Sequence, residues 1–537
     1  MDLYSIKKRE LENLYNKFFD FDNYELNREK FEEFYRNGNR LNYENEYFSR
    51  RGCLTARAMY SIIENNSESD DKLEEIIDAL CNEFTWALPA HVGRDTKKPQ
   101  TVIDLFSAET AQALCEIAFY INIPDALHKR IHELIFERII EPYENNSFWW
   151  EKCNMNWAAV CGGCVGMVYL YEFPERFDGV KTRLLSTIEC FLAGYGDDGV
   201  CLEGLEYWGY GFGYFIYFAE LLRRARNIDL LALDKVKKIA EFQHNMFLKG
   251  GISVSFSDGD RKGCFNVGLT HFLKKEFGDS IKIPNKEYRC DYDECYRWAG
   301  YLRSFIWFNS SISANQESDT GEKYFSDAQW YINKKKLYSF AAKGGNNDEP
   351  HNHNDVGSFI IADEKNQLII DYGAGEYTAD YFDNNSRYNH LCTSSAGHNL
   401  PVIDGNYQQA GKECAAKVIK ASGNEFIAEL ASAYNVPEIK GIRRHFKLED
   451  NRLLLSDSFE CCGGSHIITE RFMSLAEPEL NNGDIKIGGL TIKTGILPRI
   501  IKHPIKNHSG DEEIVFSIDY EITGDEFCCA FIFCEAP

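Results

Sequence analysis

The chain changes its hydrophobic period once, near residue 310, and that single change limits the folds open to it. Upstream, apolar residues recur at helical spacing in Leu54–Asn65, Lys72–Leu88, Ser107–Asn122, Pro124–Ile140, Asn156–Tyr171, Val180–Gly194, Tyr207–Arg226 and Asp234–Phe247. Ser107-Ala108-Glu109-Thr110 sets a Ser before an acidic first turn, as an N-cap does. Asp198-Gly199 and Asp258-Gly259 read as turns between elements. Many helices of similar length, joined by short polar turns, imply helical hairpins packed in series. No sequence repeat is regular enough to form an array. From about Lys323 the segments become short and rich in β-branched and aromatic residues, as in Trp330–Asn333, Leu337–Ala342, Ser358–Ala362, Gln367–Tyr372, Arg443–Leu448, Ile467–Phe472, Ile514–Tyr520 and Cys528–Phe533. Glu449-Asp450-Asn451 and Gly488-Gly489 read as hairpin loops. This predicts an all-β half, a sandwich. Asn309–Gly321 is polar and aperiodic, which predicts a linker between domains at 1–310 and 323–537. A chain of 537 residues also exceeds one ordinary core.

Charge excludes some partners. Lys and Arg number 59 against 83 Asp and Glu, a net charge of −24. Nucleic-acid phosphates demand a basic face, so no nucleic-acid partner is expected. Asn154–Tyr171 is uncharged and approaches the length of a membrane span, but it holds Asn, Trp and glycines between charged flanks. A buried helix is expected there, and no membrane partner. Met1–Lys8 is charged and lacks the apolar core of a signal peptide. The expected location is therefore cytoplasmic, with the 18 cysteines reduced. Cys161, Cys164, Cys528 and Cys529 lie in apolar runs, where Cys packs as a small hydrophobe. The CxxC spacing of Cys161 and Cys164 has no second copy to complete a zinc site.

Chemistry concentrates in four stretches. Glu349-Pro350-His351-Asn352-His353-Asn354-Asp355-Val356-Gly357 runs straight into the apolar strand Ser358–Ala362. Buried polar groups need partners, so such a run is expected at the rim of a sheet facing a cleft. Its plainer reading is a hydrogen-bonded turn. Asn156 lies at the mouth of the apolar helix, where it also fits a simple N-cap. Asp197–Gly211 crowds Glu203, Tyr207 and Tyr210 at a helix entrance, either as core aromatics or as a carbohydrate-binding lip. Arg387–Asn399 carries His390 and His398 in a loop that precedes the strand Leu400–Ile403, and solvated loop histidines are the plainer reading.

Taken together, the chain resembles the heparinase II/III-like polysaccharide lyases. The resemblance rests on His351–Phe359, Asp371-Tyr372-Gly373-Ala374-Gly375-Glu376-Tyr377 and Ala396-Gly397-His398-Asn399. Ile103–Ala111, Asn156-Trp157 and Glu203–Tyr207 support it. It implies an N-terminal incomplete (α/α) toroid followed by a C-terminal antiparallel β-sandwich domain. It also implies β-elimination at a uronic acid, leaving an unsaturated uronate end on a uronic-acid-containing oligosaccharide. Heparan-type, chondroitin-type, alginate and other uronate polymers all fit. By the same resemblance, Asn156 bonds the substrate carboxylate, Tyr207 is the acid and in a syn geometry also the base, and His351 is the second proton-transfer group. Tyr210 competes with Tyr207 for its role. Trp157, Glu203, Tyr210, Arg387 and His390 are candidate substrate contacts. Trp157 stands where many relatives carry a His, and Arg387 or Arg94 could supply the missing charge. His353, Asp371 and His398 match positions that hold a structural metal, usually zinc, and two imidazoles with a carboxylate suit that ion. No organic cofactor is implied, and homo-oligomerisation stays open. Three rival readings remain. One is a glycoside hydrolase, for which Glu203, Glu206, Asp197 and Asp198 offer carboxylates. The others are a uronate C5 epimerase and a non-catalytic glycan-binding protein.

Overall fold

The computed structural model describes residues 3–23, 25–64, 66–284, 293–312, 320–524 and 526–535. The first half is helical, from Leu3–Lys17 to Trp298–Ile306, and the second is built of antiparallel sheets. The expected helices form with shifted ends. Leu105–Tyr120 starts ahead of Ser107, because Asp104 is its cap. The Ser107 backbone N–H donates to Asp104 Oδ1 at 2.7 Å, and the Asp104 N–H donates to Ser107 Oγ at 2.9 Å. Ser107 is therefore the reciprocal partner of a capping box and not the cap. Asn156 does not cap its helix either; Asn156–Glu172 begins on it, with Met155 before it. That helix is buried along nearly its whole length, as its uncharged sequence predicts. Its glycines let the helix Gly213–Arg226 approach, since a Cβ at Gly166 would come within 2.4 Å of the Phe218 ring. Among the described residues no helix is long and apolar enough to cross a membrane.

A five-stranded sheet joins the halves. Its strands Gly321–Phe325, Trp330–Lys334, Ser339–Lys343, Phe359–Ala362 and Gln367–Ile369 pair in chain order. Successive side chains on a strand point to opposite faces. Trp330, Ile332, Ala341, Ile360 and Ala362 pack into the helical core, whereas Tyr331, Phe340, Ala342, Phe359 and Ile361 pack into the sandwich core. Burial on both faces explains why these strands read as unbroken apolar runs. The far layer is an eight-stranded sheet, in which Glu425–Glu429, Ile439–Leu448, Arg452–Cys461 and Glu526–Glu535 are consecutive neighbours. Ile439–Leu448 alternates buried and exposed residues over most of its length, because its outer face meets water. A four-stranded sheet, with Pro401–Ile403 at one edge, shares the sandwich core. Both predicted hairpin loops form.

Three expectations change. Gly321 opens the first strand instead of ending a linker, and 313–319 of the predicted linker lie outside the described residues. Among the described residues Cys264 is disulfide-bonded, against the expectation of uniformly reduced thiols, while the others form no disulfide. Cys161, Cys164 and Cys529 are buried as expected, whereas Cys528 is exposed on the outer face of its strand.

Candidate active site

The run from Glu349 to Gly357 is not a solvated rim. Asn352, His353, Asn354 and Asp355 are all buried, and only Pro350 and His351 are part-exposed. The run is buried because partners wait for it. Lys343 Nζ lies 2.8 Å from Asp355 and 3.3 Å from Glu349, with all three side chains buried. Asn352 donates to Asn354 Oδ1 at 3.1 Å and to Tyr388 Oη at 3.0 Å. Arg444, buried between Asp457 and Glu470, donates to the carbonyls of Gly357 and Asn399. His351 sits in the left-handed region at φ 54°, a conformation that costs energy in a residue with a Cβ. Its surroundings hold it there.

The group that holds His351 is Asp258, from the last part of the helical half. Asp258 is 5% exposed. The chain reverses just before it at Ser257, φ 59°. Ser253–Gly259 is zipped to the turn after the last strand of the five-stranded sheet. Gln367 Nε2 donates to the Ser253 carbonyl at 2.9 Å, and Ser255 Oγ to the Asp371 carbonyl at 2.8 Å. Gly373, at φ 75°, has no room for a side chain, since a Cβ would meet the Gly259 carbonyl oxygen at 2.0 Å. The Asp258 carboxylate then accepts from two sides. Oδ2 takes His351 Nδ1–H at 2.5 Å and the Tyr377 hydroxyl at 2.9 Å. Oδ1 takes His353 Nε2–H at 3.0 Å and the Tyr381 hydroxyl. Burial would raise the Asp258 carboxyl, but the two histidines outweigh it and hold the group well below the usual carboxylate range.

Tyr207 stands over this carboxylate. Its ring lies 4.3 Å from the His351 ring, and its hydroxyl is 2.7 Å from that of Tyr377. The Tyr377 proton is already given to Asp258, so Tyr207 is the donor of that pair. Burial, then the charge of Asp258, pushes the Tyr207 phenol up, so it stays protonated at neutral pH. Arg40 acts on it in the opposite sense but is itself paired with Glu44 at 2.7 Å. Glu203 closes the ring of groups. Its carboxyl is 3.4 Å from His351 Nε2 and accepts the backbone N–H of Asn156. Burial raises Glu203, while Asp258 and Glu203 together raise His351 against its own burial. The Asn156 Oδ1 is buried without a hydrogen-bond partner, and Gly211 gives that side chain room.

The sequence-predicted contacts divide. Tyr210 is three residues from Tyr207 but faces elsewhere. A π turn over Trp208–Phe212 follows the short helix Leu205–Tyr207, so the two rings do not share a face as α-helical i,i+3 residues would. The Tyr210 hydroxyl donates to Glu109 beneath the Arg297 guanidinium. Arg387 is spent on the loop, donating to the carbonyls of Asn352 at 3.0 Å and Tyr381 at 2.8 Å, with Nη2 buried and unpaired. Arg94 is exposed. His390 is part-buried, its ring 5.5 Å from Tyr381. The Trp157 ring lies tilted against that of Trp149, 4.8 Å away, and Trp149 is 62% exposed. His91, held by Asp104 at 2.8 Å, meets the Trp157 ring in a T-shaped contact. Asp198 is a clasp, accepting the backbone N–H groups of Asp327 and Ala328. Sequence reading missed Asp258, Tyr381, Arg40 and Trp149 as site residues. Tyr377 lay in a matching motif without a role. Asp258 was legible only as a turn, because nothing local distinguishes it from one.

His353, Asp371 and His398 form the second cluster, fully buried, with potential ligand atoms within 4.8 Å of one another. The donor set fits a metal. His353 spends Nε2–H on Asp258, and its Nδ1 is buried without a partner. His398 Nε2–H donates to the Cys392 carbonyl at 2.8 Å, which turns its Nδ1 toward Asp371 Oδ2 at 3.2 Å. A neutral imidazole would then set its lone pair against a carboxylate. A proton or a cation among these atoms would relieve that, and a zinc ion, which takes imidazole and carboxylate ligands, would supply it. Asp371 is lowered and His398 raised by their mutual attraction, each against its own burial.

Residues 318–491 match the family described as Heparinase II/III-like, C-terminal. No curated protein matches the chain. Among solved structures it is similar to heparinase III, with a TM-score of 0.63 at 14% identity over 92% of this chain and 77% of that one. The heparan sulfate lyase HepC from Pedobacter heparinus gives a TM-score of 0.57 at 12% identity over 91% and 77%. The Streptomyces coelicolor A3 chondroitin AC lyase, solved with chondroitin sulphate, gives 0.54 at 9% over 95% and 78%. The chain therefore has the fold of these lyases, a helical toroid followed by antiparallel sheets, with the heparinase II/III-like match confined to residues 318–491.

Proposed function

We propose that this protein is a carbon–oxygen lyase that cleaves a uronic-acid-containing oligosaccharide by β-elimination. The observation that carries the reading is the convergence of Tyr207 and Glu203 from the helical half with His351 from the β half on one carboxylate-centred site. In this reading the Asn156 amide bonds the uronate carboxylate and blunts its charge, which makes the C5 proton removable. His351 gives Nδ1–H to Asp258, so its other nitrogen carries the lone pair that takes the C5 proton. The C5–H electron pair forms the C4=C5 bond as the C4–O4 bond breaks. Tyr207, held as a phenol, gives its proton to O4. Trp149 and Trp157 offer a face for a neighbouring sugar ring.

His353, Asp371 and His398 would hold zinc in a structural role. The ion would neutralise the buried carboxylate and pin the loop that carries His351. The many cysteines without a disulfide among the described residues favour a reducing compartment, the cytoplasm, and the Cys264 disulfide is the observation against it. Thiol counting on protein isolated under alkylating conditions decides between them.

The test of the activity is a panel of uronate oligosaccharides read for new ultraviolet-absorbing unsaturated product. Cleavage that yields saturated ends only would make the enzyme a hydrolase. Binding without turnover on every member of the panel would make it a glycan-binding protein.

A further inference from the structure

We propose that Asp258 is a positioning residue that couples the metal cluster to the proton-transfer pair. Its two oxygens serve two sites. Oδ1 receives His353 and Tyr381, and His353 is one of the three potential metal ligands. Oδ2 receives His351 and Tyr377, and Tyr377 in turn receives Tyr207. A carboxylate is rigid and planar, so moving one oxygen moves the other. His353 Nδ1 is buried without a partner and needs an ion to settle it. An ion held by His353 would fix the position of that ring, and through its Nε2–H on Oδ1 the carboxylate would set the His351 and Tyr207 hydroxyl geometry at Oδ2. The segment carrying Asp258 has little freedom to absorb the change, because it is zipped to the strand and turn from Gln367 to Gly373. A carboxylate behind a ligating histidine commonly tunes metal affinity, by about 10–100-fold. What this chain adds is that the same carboxylate also orients the candidate base.

The kinetic arm of the test rests on the lyase reading, and the other arms do not. Wild type and Asp258→Asn are each prepared zinc-loaded and chelator-stripped. Three quantities are measured: zinc affinity, kcat with KM on one substrate, and the downfield proton resonance of the His351 Nδ1–H, assigned by its loss in His351→Gln. In wild type, stripping zinc should shift or broaden that resonance and lower kcat about tenfold or more, with KM within twofold. Asp258→Asn replaces one acceptor oxygen by a donor, so it should bind zinc about tenfold or more weakly. Stripping zinc from Asp258→Asn should then cost no further kcat. The proposal is overturned if stripping costs both proteins the same factor, if Asp258→Asn binds zinc as tightly as wild type, if the His351 resonance ignores zinc, or if the protein takes up no zinc. Should Asp258→Asn not melt cooperatively, Tyr381→Phe removes only the phenol on Oδ1. Weaker zinc binding and a moved His351 resonance would then support the coupling, and no change in both would overturn it. If no uronate substrate yields unsaturated product, the lyase reading falls, while zinc affinity and the resonance still decide the coupling.

Discussion

Two tyrosines three residues apart enter two buried clusters of the same chemical type and opposite character. Tyr207 and Tyr210 each sit beside a buried carboxylate, Asp258 and Glu109 respectively. The Tyr210 cluster stays within the helical half. Glu109 accepts the Tyr210 hydroxyl, and Arg297 lies 3.3 Å from Glu109, 2.7 Å from Asp293 and 3.9 Å over the Tyr210 ring. Its cation is present and its charges are matched. The Tyr207 cluster instead spans both halves and gathers two carboxylates, Asp258 and Glu203, around one histidine. Its nearby arginine, Arg40, is already paired with Glu44. A matched cluster stabilises a fold. A cluster short of protons and cations is poised to exchange them with a ligand.

The largest effect expected from this contrast is on turnover. Tyr207→Phe removes only the hydroxyl and should lower the rate of unsaturated-product formation by about a hundredfold or more, with substrate binding little changed. Near-normal turnover in Tyr207→Phe together with a dead Tyr210→Phe would reverse the comparison. Next comes the metal. His353→Ala should abolish stoichiometric zinc by elemental analysis and lower turnover by about tenfold, through a loosened His351 loop. Stoichiometric zinc retained in His353→Ala would remove that residue from the ligand set. Tyr210→Phe comes third. It should leave turnover within a few-fold and cost about 1–3 kcal/mol of stability, because Glu109 loses a buried hydrogen bond. A thermal melt separates the two clusters: Tyr210→Phe moves the midpoint, whereas Tyr207→Phe moves the rate.

How much of this was legible in the sequence follows from what each feature depends on. The helix-then-sheet order depends on local periodicity, and it was readable. So was the loop that carries His351 and His353, because five consecutive polar residues before an apolar strand are unusual in any fold. Its surroundings were misread. The run is buried, which requires Lys343, Tyr388 and Arg444, partners 12 to 87 residues away that no local pattern announces. Asp258 failed for the same reason. An Asp-Gly pair has the signature of a turn, it does form a turn, and its role arises only when residues 351, 353, 377 and 381 fold onto it. The Tyr207 and Tyr210 assignments needed the π turn between them, which propensity does not predict. The shift of the Leu105–Tyr120 start to Asp104 shows the same limit on a small scale. Two plausible caps lay three residues apart, and a capping box used both.

The smallest effect should appear only as pH changes, and it tests whether the Tyr210 cluster is as matched as its geometry implies. Burial, helped by the charge of Asp293, pushes the Glu109 carboxyl up from 4.5 to about 7 against the pull of Arg297. A raised acid binds its proton more tightly folded than unfolded. Its stabilising contribution is therefore complete below the unfolded value of about 4.5 and is lost as pH rises to about 7, then stays level. Glu109→Gln mimics the protonated form at every pH. The midpoint of wild type relative to Glu109→Gln should thus fall by roughly a few degrees between pH 4.5 and 7.5, with no further change above, and turnover at fixed pH should be the same in both. If the wild-type midpoint instead stays level relative to the variant over that interval and rises with pH only below it, Glu109 is ionised in the folded protein and forms a complete ion pair with Arg297. The Tyr210 cluster would then carry a buried anion facing its own cation, and its contrast with the Tyr207 cluster would rest on location alone.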